Sequence, residues 1–104
     1  MSDTQSGPVL TQEALRLLER FHQFPGDYMF KVIGFGGQEF TAAVDQAAET
    51  VLGPPRDSQR RLSSRPSRGG RYTAVTLETK VSDAQQVLAI YAALKQVQGV
   101  VVLV

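Results

Sequence analysis

From residue 11 onward the apolar positions follow a helical spacing in some stretches and strict alternation in others, and the switches between the two define the elements. Residues 1–10 (MSDTQSGPVL) are polar and broken by Gly7-Pro8, and they read as a flexible tail. Thr11 is placed to cap a helix over 11–23, with Glu13 in its first turn and Ala14, Leu15, Leu17, Leu18 and Phe21 as its apolar stripe. Phe24-Pro25-Gly26-Asp27 ends it, because a residue before proline avoids helical angles and Gly-Asp suits a turn. Tyr28 to Phe35 (YMFKVIGF) is aromatic and β-branched with a single charge, Lys31, as a largely covered strand requires. After Gly34, Gly36 and Gly37, a second helix is predicted from about Gln38 to Leu52, carrying Phe40, Val44, Ala47 and Val51 on one side. Gly53-Pro54-Pro55 stops it.

The segment RDSQRRLSSRPSRGGR holds one apolar side chain, Leu62, and is interrupted by Pro66, so it reads as an exposed edge strand or a loop. Gly69-Gly70 suits a hairpin turn into a strand over Arg71 to Val81. There Thr73, Val75, Leu77, Thr79 and Val81 share one face and Tyr72, Ala74, Thr76, Glu78 and Lys80 the other, a period of two. Ser82 to Gln85 has the form of a capping box with Ser82 as cap. The third helix carries Val87, Ile90, Tyr91, Leu94 and Val97 along one side, and Gly99 ends it. Val100 to Val104 is an unbroken apolar strand, which predicts cover on both flanks inside a sheet. The order after the first helix is β, α, β, β, α, β. Two right-handed β-α-β halves give a ferredoxin-like α+β sandwich over 28–104: a four-stranded antiparallel sheet with two helices on one face. The helix over 11–23 is an addition that is expected to cover part of the opposite face.

Composition narrows the field. A chain of 104 residues fits one domain. With no cysteine there is neither a disulfide nor a thiolate metal site, and the first residues lack a signal peptide's basic start and apolar run. No apolar stretch approaches the roughly 20 residues of a membrane helix. These features predict a cytoplasmic protein without membrane partners. The net charge of +1 conceals a polarity. Between Gly53 and Arg71, six arginines (56, 60, 61, 65, 68 and 71) face only Asp57, a local charge of +5, and the remainder carries −4.

The stretches FPGDYMFKVIG and RYTAVTLETKVSDAQQVLAIYAALKQVQGVVVLV carry a family pattern. Phe24, Pro25, Tyr28, Phe30, Lys31, Val32, Ile33 and Gly34, then Gly70, Tyr72, Val75, Ile90, Tyr91 and Leu94, fall in the order and spacing of the YbeD-like family of small uncharacterised bacterial proteins, and the chain resembles it over roughly residues 24–104. The resemblance implies a ferredoxin-like fold similar to the ACT domains that regulate amino-acid metabolism. In ACT-like domains effectors sit between paired domains near the first strand-to-helix turn, which by analogy implicates Ile33, Gly34, Gly36 and Gly37 in ligand binding. The additional first helix and the arginine-rich segment depart from the family pattern.

Catalytic chemistry finds little to work with. His22 is the only histidine, so a transition-metal site would need carboxylates alone, and no acidic cluster is present. There is no G-x-S-x-G elbow. Gly34-Phe35-Gly36-Gly37 lacks both the third glycine of G-x-G-x-x-G and a P-loop lysine, and Glu39 in the following turn would repel an anion. The chain holds no asparagine to orient a water as acylphosphatases of this fold do. No cofactor is predicted.

Two functions remain. The favoured one is a non-enzymatic regulatory or interaction module that binds a small ligand or a protein and self-associates, as a homodimer, through sheet edges or the outer sheet face. The other is a nucleic-acid-binding domain in which Arg60, Arg61, Arg65, Arg68 and Arg71 grip phosphates, with Tyr28, Phe30 and Tyr72 as stacking aromatics on the open sheet. Against the second stands the common use of charge to guard an edge strand.

Overall fold

The structure, a computed structural model, describes residues 2–54 and 59–104, and side chains within 11–54 and 59–104. The elements run α1 (Ser2–Phe21), β1 (Gly26–Gly34), α2 (Gly37–Leu52), β2 (Arg60–Pro66), β3 (Thr73–Val81), α3 (Ala84–Lys95) and β4 (Val100–Leu103). The strands form one antiparallel sheet in the order β2-β3-β1-β4. This is the ferredoxin-like plait, with the first strand of one half and the second half's entering strand, β1 and β3, at its centre.

Alternation along the strands sorts their two faces. Phe30, Val32, Val75, Leu77 and Val81 point to one side and are buried against Phe40, Val44 and Ala48 of α2 and Val87, Ile90 and Leu94 of α3. The five β3 positions expected on the core side, Thr73 to Val81, are all buried. The other face carries Met29, Lys31, Ile33, Arg61, Ser63, Arg65, Ala74, Thr76, Glu78 and Lys80, with no helix among the described residues packed over them.

Four expectations are corrected. The first helix runs Ser2–Phe21, so Thr11 lies inside it and is not its cap; it packs on α3, on the helical side, and does not cover the open face. The cap of α3 is Asp83, whose carboxylate accepts from the Gln86 N–H at 2.9 Å, one residue later than expected. Gln86 in turn accepts from the Ser82 N–H at 2.8 Å. Finally, β4 is not interior but an edge strand, paired with β1 alone among the described strands. In this topology the two central places belong to β1 and β3, so an apolar last strand is left outside. Val101, Val102 and Val104 remain 51%, 41% and 66% exposed.

The chain connections that meet at one end of the sheet set up the rest. The β1–α2 turn (Phe35, Gly36), the β2–β3 hairpin (67–72) and the α3–β4 turn ending at Gly99 all gather there. Gly34 allows the approach: a Cβ on it would lie 2.5 Å from both the Gly99 carbonyl oxygen and the Phe40 ring. Phe35 N–H then donates to Gly99 at 3.1 Å, fastening the turn to the head of β4.

Candidate functional site

The arginine array is divided by the sheet. Arg60 turns to the helix side, where its side chain is 4% exposed. Its Nε lies 3.3 Å from Asp45, its Nη2 3.7 Å from Glu49, and its Nη1 donates to the Gly53 carbonyl at 3.0 Å. Strand alternation sends Arg61 to the open face, opposite Glu78, with 3.8 Å between the charged groups. Arg65 stands on the same face at the far end of β2, about 13 Å along the strand. Arg68 and Arg71 lie in the hairpin, where Arg71 sits 6.0 Å from the Tyr72 ring centroid. Arg56 lies outside the described residues. Arg60 is therefore a structural tie between β2 and α2, and five arginines do not form one continuous contact surface.

The aromatics proposed for base stacking are likewise elsewhere. Tyr28 and Phe30 face the helices with Tyr91, in ring contacts of 4.8–6.2 Å. The Tyr28 and Tyr91 hydroxyls share a hydrogen bond of 3.2 Å, and burial first, then that bond, holds the Tyr91 phenol well above its ordinary range. His22 stacks at 4.9 Å on Tyr28 and belongs to the same cluster. Only Tyr72 stands at the hairpin end, against Phe35 at 4.9 Å. Lys31 at the intervening position already marked which face of β1 is wet.

Of the four residues implicated by the ACT analogy, Gly34 is buried by Phe40 and Gly99 and offers a ligand no surface. Ile33 faces the open side, while Gly36 and Gly37 hold positive φ angles of 120° and 58° in the turn. Gly36 borders a groove of about 420 Å³ with Phe35, Glu39, Phe40, Ala43, Gln98 and Gly99. The site thus splits: Gly36 opens on the β4 side, Ile33 on the helix-free face.

No described group of three or more histidine, cysteine, aspartate or glutamate side chains could hold a metal ion. No described helix is long and apolar enough to cross a membrane.

What the geometry defines is a small ferredoxin-like domain with one naked sheet face, one charged edge and one apolar edge. A family model described as "Protein of unknown function (DUF493)" matches residues 19–104, and the chain belongs to that family, the YbeD-like small bacterial proteins. It is 38% identical over 73 residues to a UPF0250 protein of Neisseria gonorrhoeae, covering 69% of this chain and 77% of that one. A UPF0250 protein of Paraburkholderia phytofirmans is 32% identical over 81 residues, covering 73% and 83%. The solution structure of HP0495 from H. pylori superposes with a TM-score of 0.66 at 17% identity, over 80% of this chain and 85% of that one, a likeness of fold.

Proposed function

We propose that the chain is a non-catalytic, ACT-like interaction module that works as a pair, two copies joined edge to edge through β4. The observation that carries this reading is the contrast between the sheet's two edges. β2 presents Arg61, Arg65 and Pro66, the charged and proline-bearing composition that blunts pairing. β4 presents only valine and leucine, with its Val101 and Val102 and the following Val104 well exposed.

Backbone geometry agrees. Lys31 and Val104 exchange both hydrogen bonds, at 2.9 and 2.8 Å, so antiparallel alternation turns the N–H and C=O of Leu103 outward. The register passes from Ile33↔Val102 to Gly34↔Val100, leaving Val101 as a bulge. The shortness of the edge and its bulge limit how far pairing can extend, which restricts the contact to a closed pair and not a growing sheet. The guarded β2 edge opposes the head-to-tail addition that would build a fibre.

The non-catalytic part of the reading rests on how the polar groups are employed. Asp45 and Glu49 face Arg60, Glu78 faces Arg61, and Asp83 caps α3. The groove at Gly36, opening beside Gly99 at the head of β4, is where an effector would feel the partner copy. Sedimentation equilibrium tests the pairing. The native chain should show a concentration-dependent dimer, and Val102→Lys, placing like charges across the pairing, should weaken it about tenfold or more with the fold intact. A native chain that stays monomeric to millimolar concentration would refute the pairing.

A further inference from the structure

The cross-strand register allows the charges of the open face to be accounted for row by row. In the first row Asp27 lies beside Lys80; in the second Glu78 lies between Met29 and Arg61 and pairs with the arginine. Both rows are neutral. The third row is Val104, Lys31, Thr76 and Ser63, and the fourth is Val102, Ile33, Ala74 and Arg65. Each carries one cationic side chain and no acidic one. Neither Lys31 nor Arg65 has an ion-pair partner among the described residues.

A depression of about 420 Å³ lies over those two rows, lined on the face by Lys31, Ile33, Ser63, Arg65, Ala74 and Thr76. Its origin is in side-chain size. The central strand contributes only Ala74 and Thr76 there, and the neighbouring β2 position is Ser63, whereas the two flanks carry the longest side chains of the face. The Cα atoms of Lys31 and Arg65 stand about 12 Å apart, two strand spacings across and one row along. Both side chains span that interval when they lean inward over the small residues.

We propose that this depression binds a small organic dianion, a dicarboxylate in class, with one acid group on the Arg65 fork and the other on the Lys31 ammonium. A guanidinium takes a carboxylate bidentately, and an ammonium serves as a point charge. Ser63 and Thr76 supply hydroxyl donors between them, and Ile33 with Ala74 supplies an apolar floor for the carbon chain. The open shape sets the affinity in the millimolar to high-micromolar range. The site lies over β1, β3 and β2, away from the free side of β4, so it does not depend on self-association.

Amide shifts of the ¹⁵N-labelled full chain, titrated with succinate, inorganic phosphate and neutral succinamide, provide the test. Succinate should move the amides of residues 31, 33, 63, 65, 74 and 76, and succinamide should not. Lys31→Gln and Arg65→Gln should each weaken binding about tenfold, whereas Arg68→Gln should not. All three side chains are exposed, so the variants keep the native spectrum elsewhere. Three outcomes overturn the proposal: no shift at tens of millimolar succinate; phosphate binding as tightly as succinate; or a single-stranded oligonucleotide that displaces succinate and loses affinity on Arg68→Gln and Arg71→Gln.

Discussion

The Arg60 guanidinium lies 3.3 Å from the Asp45 carboxylate, and this pair bolts the β2 edge of the sheet to the outer side of α2. With Glu49 and the Gly53 carbonyl it gives a nearly buried arginine most of the partners it needs, while its Nη2 remains without a hydrogen bond. Removing the cation strands two partly exposed acids beside each other and frees a helix-end carbonyl.

Arg60→Gln should accordingly lower stability by about 1–3 kcal/mol, whereas Arg61→Gln and Arg68→Gln should change it by under about 0.5 kcal/mol. Urea denaturation of the three variants checks the contrast. Equal effects would mean that the sheet does not divide the arginines as described.

Gly34 is a packing position. Alanine there places a methyl carbon against the Gly99 oxygen and the Phe40 ring, and the backbone oxygen has no room to yield without moving β4. Gly34→Ala should cost about 1–3 kcal/mol and shift the amide signals of residues 99–101, as overpacking does. Thermal unfolding and an amide spectrum together read both effects.

The position of the α3 cap separates two neighbouring residues. Asp83→Ala removes the acceptor for the Gln86 N–H and should cost about 1 kcal/mol. Ser82→Ala retains the Ser82 backbone donor to Gln86 and should cost less. If the serine change proves the more damaging, the cap lies one residue earlier.

Tyr91 carries an alkaline signature. Its phenol is raised in the folded state, chiefly by burial and then by Tyr28, so the folded chain holds that proton more tightly than the unfolded one. The sign follows: the contribution is complete below the unfolded tyrosine value of about 10 and is lost as pH climbs above it. Unfolding free energy should therefore fall above about pH 10, and Tyr91→Phe should flatten that fall. A native-like slope in the phenylalanine variant would place the cause elsewhere.

The fold was legible in the chain wherever one face of an element is wet. β3 alternates cleanly because its outer face meets solvent, and Lys31 gives the facing of β1 by the same logic, so the inward turn of Tyr28 and Phe30 was readable. Periodicity could not place β4: five apolar residues look alike whether two strands flank them or one, and strand order follows from the crossovers. The candidate site was less legible still. Arg60 and Arg61 are neighbours of one type, and only their opposite facing assigns one to the core and the other to Glu78. The uncompensated pair, Lys31 and Arg65, joins positions on two strands with a third between them, and the sequence does not show which side chains will share a row.

Strand order also bears on the sequence of events during folding. β2 and β3 are joined by residues 67–72 alone, so their hairpin closes a short loop and can form while the rest of the chain is unstructured. The Val32–Leu103 pairing closes a loop of about two thirds of the chain, and within the chain β4 has no other described strand to lean on. The C-terminal segment should thus be the last to dock and the first to detach. Pulsed hydrogen exchange during refolding should find amides of 62–79 protected ahead of those of 100–104, with the same order reversed on mild denaturation.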